Sequence, residues 1–295
     1  MNPVNPAGDP APDGQVALTL SALHVYPVKS CAGVPLPEAL MIETGLEFDR
    51  AWMLVDEHGT FVTQRQVPRM ALIRPTLRLD DMVLRAPGML ALHVALNAVE
   101  EPTRVRVHAD EVKAYDMGPL AAQWFSDFLG RTLRMVRFDP EQKRLSDPRW
   151  TGPIAAENQF ADGYPLLVAS SASLAGLNQR LVQQGLPTVG MERFRPNLVV
   201  DGLDAHGEDF LDKIRFDTED GPVILKLVKP CTRCTIPSVD PATGVQTQEP
   251  GDTLAGYRAD SRVDGAVTFG MNAVLVEGIE RPLRVGDRAS ASLKF

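Results

Sequence analysis

The chain has 295 residues, enough for one large domain or two ordinary ones, each with its own core. Its 44% hydrophobic and 23% charged content is that of a globular protein, and the net charge of −8 argues against a nucleic-acid-binding surface. Three cysteines are too few for a disulfide framework, and no apolar run approaches a membrane span, so a cytoplasmic protein is expected.

Residues 1–16, rich in proline and glycine, lack the basic and apolar regions of a signal peptide and are expected to form a disordered tail. Ala17 to Val28 alternates as a strand and runs into Tyr26-Pro27-Val28-Lys29-Ser30-Cys31. Glu47 to Val55 predicts a second strand, Glu57-His58-Gly59 its turn, and Phe61 to Arg65 the hairpin partner. Short strands follow: Leu77 to Leu84, broken at Asp80-Asp81, then Val105 to His108 and Val112 to Tyr115. This spacing suggests a barrel or sandwich. A helix is predicted over Pro119 to Leu129, with Leu120, Trp124 and Phe128 on one face. No glycine-rich phosphate loop follows any strand, so neither a classical nucleotide site nor pyridoxal phosphate is expected. The five histidines are scattered and read as structural or solvent-facing.

Asp139 to Gln159, polar and proline-containing, is the expected link between halves. It ends in the loop Phe160-Ala161-Asp162-Gly163-Tyr164-Pro165, before the strand Leu166 to Ala169. Ser171 or Ser173 then caps a helix to about Gln184, with Leu174, Leu177 and Leu181 buried. Phe194-Arg195-Pro196-Asn197 leads into the strand Leu198 to Asp201. Val223 to Val228 is a strand that Pro230 is expected to stop. Next comes Lys229-Pro230-Cys231-Thr232-Arg233-Cys234-Thr235-Ile236-Pro237-Ser238-Val239-Asp240-Pro241, in which the prolines exclude a helix after Cys234. Thr253 to Tyr257 predicts a helical turn and Phe269 to Val276 a strand, and a last strand follows the Val285-Gly286-Asp287 turn.

The cysteine pair admits several readings. A thioredoxin-like pair needs a helix start, which the prolines deny. A structural zinc site needs four ligands, and no cysteine or histidine follows Cys234. Two buried structural cysteines, or a single thiolate binding a softer redox metal beside the charge of Arg233, stay open on the residues alone.

The segment Cys231-Thr-Arg-Cys-Thr-Ile-Pro-Ser-Val-Asp-Pro-Ala-Thr-Gly244 resembles the molybdenum-binding loop of the MOSC superfamily. The likeness is to its YcbX-like and amidoxime-reducing members. At least five motifs, spanning Leu18 to Leu293, follow the family's order. The resemblance implies a β-rich α+β fold: an N-terminal MOSC-associated β-barrel domain over 17–140, and a MOSC barrel with peripheral helices over 141–295. It implies molybdenum cofactor (Mo-molybdopterin) in the cleft between them, with Cys234 as metal ligand and catalytic centre. Lys29 and Ser30 would contact the pterin's phosphate end or its surroundings, and Arg50 and Arg195 its anionic groups. Asn197 would neighbour them, Asp162, Gly163 and Tyr164 would lie against the cofactor, and Thr232 and Arg233 would flank the ligand. Asn272 stands where the mitochondrial relatives carry a tyrosine. The implied activity is reduction of N-hydroxylated compounds by a monomer, with electrons from an external flavin or iron–sulfur reductase. No cysteine follows Cys234, so no iron–sulfur cluster of its own is expected. The alternative is a protein that stores or carries the cofactor or a persulfide. No membrane association is expected.

Overall fold

The computed structural model describes residues 15–98 and 101–294. Seven strands close into a barrel in the order Leu166–Ser170, Leu198–Asp201, Gln15–Val25, Arg288–Leu293, Leu211–Thr218, Gly221–Thr232, Ala266–Glu277, and the last pairs back onto the first. The first strand of the chain therefore sits between strands from its second half. Residues 1–14 of the expected tail lie outside the described residues, while Gln15 and Val16 already belong to that strand.

The interior is filled by alternating side chains. Leu18 and Leu20 point inward at period two, and a register shift between Leu20 and Ala22 resets the phase so that Leu23 and Val25 do too. They pack with Met41, Leu198, Ile214, Phe216, Leu225 and Met271. The only parallel pair among these seven strands, Leu166–Ser170 beside Leu198–Asp201, is joined by the helix Ser171–Gln183. Its cap is Ser170, whose side chain accepts from Ala172 N, rather than Ser171 or Ser173. Those two hydroxyls are engaged elsewhere: Ser171 donates to Asp201, and Ser173 to Glu208 at 2.7 Å. Leu177 and Leu181 are buried and Leu174 partly so.

A separate five-stranded sheet gathers Trp52–Val55, Phe61–Val62, Glu101–Val107, Asp110–Asp116 and Arg134–Phe138. The helix Gly118–Leu129 covers it and ends at Gly130, whose φ of 70° few other residues accept. Its buried stripe is Ala121, Phe125 and Phe128, with Trp124 alongside. Leu120, expected in that stripe, is 72% exposed because it lies one residue off this i, i+4, i+7 series.

Four strand boundaries next to the site differ from expectation. The first strand ends at Val25, the second begins only at Trp52, and the third stops at Val62. In each case the intervening residues turn into the site instead. The cysteine strand runs through Pro230 to Thr232. Its register shifts at Leu227/Lys229 and Pro230/Thr232, and such irregularities accommodate a residue with no N–H to donate. Between Cys234 and Pro250 the chain makes one 3-10 turn, Ile236–Ser238, and no α-helix.

Candidate functional site

One cleft is lined by all twelve residues singled out from the sequence, and they arrive from six separate segments. Lys29 and Ser30 follow the first strand, and Arg50 precedes Trp52. Asp162, Gly163 and Tyr164 form the loop before Leu166, and Arg195 and Asn197 precede Leu198. Thr232, Arg233 and Cys234 end the cysteine strand, and Asn272 lies on the strand beside it, opposite Lys229. Three of them hold left-handed backbone despite carrying a Cβ: Ser30 (φ 68°), Arg50 (φ 53°) and Arg195 (φ 58°). Each such residue costs about 1–3 kcal/mol and persists only where its surroundings enforce it. Here the enforcement is visible. Arg50 N donates to Tyr26 O, Trp52 N to Pro27 O, and Lys29 N to Trp52 O.

Tyr26 is the floor. Its fully buried ring lies 4.4 Å from the Arg50 guanidinium and 4.2 Å from that of Arg195, and its hydroxyl donates to Pro196 O. Burial pushes the Tyr26 hydroxyl up to about 12, so it remains a donor. Asp49 fixes the arrangement by accepting from Tyr26 N (2.8 Å) and from Arg50. Asn197 is buried and its amide is committed: Oδ1 accepts from Arg50 Nη1 (3.0 Å) and Leu167 N (3.1 Å), and Nδ2 donates to His24 O. Its side chain holds the cleft in shape.

The cations differ in how they are compensated. Lys29 donates to Phe160 O and Asp162 Oδ1, each at 2.6 Å. Burial lowers its pKa even with that carboxylate beside it. The carboxyl of Asp162, exposed at the cleft, is held well below its ordinary range by Lys29 and then His108. Among the described residues Arg195 meets no carboxylate; its Nη1 donates to Cys31 O at 2.6 Å. Burial, with Arg50 nearby, brings it down to about 10. Arg233 also lacks a carboxylate: Nη2 donates to Phe194 O (2.6 Å), and Nε is buried with no partner.

The second donor of Arg233 corrects an expectation. Nη1 reaches Cys231 Sγ at 2.9 Å, so the guanidinium expected to act on Cys234 contacts the other thiol. Residues two apart on an extended chain share a face, and Arg233 is still tied to the ladder through Val267 O. Cys234 is exposed to solvent at the cleft. Among the described residues no group of three or more His, Cys, Asp or Glu could hold a metal between them.

Four supports escaped the sequence. His108, read there as structural or solvent-facing, sits at a hairpin tip with Nε2 3.3 Å from Asp162 Oδ1 and its ring 4.7 Å from Phe61. Arg144 reaches into the 158–161 loop, donating to Asn158 Oδ1, Gln159 O and Ala161 O. Arg193 binds the cysteine loop through Pro237 O and Asp240. Thr63 lines the cleft. His108, Arg144 and Arg193 have no local sequence signal, since each is defined by partners far along the chain, whereas Thr63 bonds within its own turn, to Gln66. Arg65 forms no interstrand ion pair among the described residues; it donates to Thr63 Oγ1 and lies over Phe61.

A closed barrel, a second β module and a cationic cleft that presents the free thiols of Cys231 and Cys234 define a MOSC-type architecture, and sequence comparison agrees. The MOSC N-terminal beta barrel domain matches residues 17–132 and the MOSC domain residues 155–290. Mouse mitochondrial amidoxime-reducing component 1 is 35% identical, over 91% of this chain and 81% of that protein. Human mitochondrial amidoxime-reducing component 1 and human mitochondrial amidoxime reducing component 2 are each 37% identical, over 81% of this chain and 72% of theirs. The chain belongs to the MOSC-domain family of amidoxime-reducing components. Among the described residues no helix is long and apolar enough to cross a membrane.

Proposed function

We propose that this chain is a molybdenum cofactor-dependent reductase of N-hydroxylated compounds: amidoximes, hydroxylamines and N-hydroxylated bases. The observation that carries the reading is a cleft holding an exposed thiol together with two guanidiniums, Arg195 and Arg233, that have no carboxylate partner. Withdrawn cations without a counterion suit an incoming anion. The donor set fits the cofactor: one soft thiolate for the metal, and arginines and a lysine for a phosphate-bearing pterin. When bound, the cofactor supplies a two-electron centre that accepts oxygen.

The chain's own residues do the rest. Cys234 holds the metal at the open side of the cleft. Arg195, Arg233, Arg50 and Lys29 hold the anion, with Ser30, Asp162, Gly163, Tyr164, Thr232 and Asn272 around it. Tyr26, Asp49 and Asn197 keep the arginines aimed, so binding requires little reorganisation. In the net reaction the N–O bond breaks, two electrons come from an external reductase, two protons come from solvent, and water leaves as an N–H bond forms. We read the catalytic unit as a monomer with two modules, 17–140 and 141–295, the first lending its strand Gln15–Val25 to the barrel of the second. Its three free cysteines suit a reducing compartment such as the cytoplasm, although the names of its relatives place those proteins in mitochondria.

The test is metal analysis followed by turnover. The purified protein should contain molybdenum and reduce benzamidoxime with a reduced viologen dye, but not with NADH or NADPH alone. Molybdenum with no turnover under any donor would make it a cofactor carrier. Protein made in a molybdenum-replete host but free of the metal would overturn both readings.

A further inference from the structure

A second cavity, ≈ 510 Å³, adjoins the cofactor cleft, and Arg195 and Ile236 line both. Its remaining walls include the far side of the cysteine loop at Val239 and Ala242, and the Arg74–Leu77 strand at Thr76. The cleft itself is the smaller of the two, ≈ 130 Å³. The chamber next door lies within the ordinary range of small-molecule sites, about 300–1,000 Å³.

Its polar groups are arranged for a ligand of particular chemistry. Glu192 is exposed and has no ion-pair partner among the described residues. Arg74 also lacks one, whereas Arg193 is held by Asp240 at 3.0 Å. With Arg195 given to the cofactor's anion, one free carboxylate and one free guanidinium remain in the chamber, which favours a neutral, hydrogen-bonding body over a strongly charged one. His24 lines the chamber as well, and its Nδ1 is buried with no hydrogen-bond partner. A buried polar atom left in this state is available to a ligand N–H or hydroxyl.

We propose, resting on the reductase reading above, that this chamber seats the body of the substrate. It takes a compact neutral amidoxime or N-hydroxylated heterocycle whose N–H groups face Glu192 and His24. The N–OH group then reaches the metal past the shared wall at Arg195 and Ile236. Glu192 and His24 are specificity residues and take no part in holding the cofactor.

The experiment compares a substrate with a body and one almost without. Thr76→Trp and Ala242→Trp replace exposed wall residues with a bulky ring. In the molybdenum-loaded protein with viologen as donor, each should raise KM for benzamidoxime by about tenfold or more. KM for N-methylhydroxylamine should stay within about twofold, which also shows that the variants are folded and loaded. Glu192→Gln should behave likewise and should weaken calorimetric binding of the product benzamidine by about tenfold. Wild-type protein that reduces neither compound overturns the reductase reading itself. If the wild type reduces both, and the variants shift both alike or neither, the chamber is not the substrate's seat. Unchanged benzamidine affinity in Glu192→Gln and Thr76→Trp has the same meaning.

Discussion

Two regions of this molecule withdraw arginines from water, and they treat the charge in opposite ways. Beside the short helix Gly251–Ala255, Arg258 donates to Asp209 at 2.6 Å, with Arg262 4.0 Å from the same carboxylate. The protein supplies both signs there. At the cleft, Arg195 and Arg233 meet carbonyl oxygens and a sulfur but no carboxylate. Breaking a buried pair leaves a stranded charge, whereas an unpaired cation in a cleft is a standing cost that a bound anion relieves. The first arrangement serves the fold, and the second is complete only with a ligand.

That contrast can be broken in several ways. The largest effect expected is at the metal ligand. Cys234→Ala should abolish dye-driven turnover, while the unfolding transition of this exposed position stays within about 0.5 kcal/mol of wild type. Cys231→Ala, which loses a partner of Arg233, should keep measurable turnover. The reverse ranking would move the ligand assignment to Cys231.

Next in size is the arginine pair. Arg258→Ala should destabilise the protein by about 3 kcal/mol, the low end of the range for stranding a buried charge, because Arg262 remains near Asp209. Its molybdenum content per folded molecule should be normal. Arg195→Ala should do the opposite. It should unfold close to wild type when metal-free, yet lose affinity for the cofactor by about 1.5–3 kcal/mol, read as molybdenum and pterin content. Equal loss of stability in the two variants would erase the distinction between the regions.

The smallest effect expected is a pH dependence within the paired region. Burial first, then the charges of Arg258 and Arg180, push His206 down to about 4, and its Nδ1 has no partner. The folded state thus favours neutral imidazole. This contribution is fully present above the unfolded value near 6.5 and is lost as pH falls towards about 4, because the unfolded chain binds the proton first. Thermal unfolding from pH 7 to 4 should fall more steeply in wild type than in His206→Asn, a replacement that tolerates the φ of 65°. Equal slopes would remove His206 from the account.

Local chemistry made much of this protein legible. Alternation marked the first strand, although its inward face depends on the bulge near Leu20. Prolines ruled out a helix directly after Cys234, leaving a single 3-10 turn before Pro250. The motif residues Lys29, Arg50, Asp162, Arg195 and Cys234 were identifiable because each lies in a short run with its own pattern, and one cleft collects them all. What stayed hidden depends on partners distant in sequence. The first strand belongs to the second half's barrel because strands 198–201 and 288–293 offer ladders to its two edges, while its neighbour in sequence, Val34–Leu36, pairs with its last three residues alone. His108 and Arg144 carry no local signal, and they matter because folding brings them to Asp162 and to the 158–161 loop. Adjacency in the chain suggested that Arg233 serves Cys234, yet the pleat turns it to Cys231. Sequence by itself determined which residue types could bind a metal and an anion, since that chemistry is local. Which groups pair, which stay free and where a second chamber opens were decided only by tertiary structure, because each of these depends on the direction of a side chain relative to a strand from elsewhere in the chain.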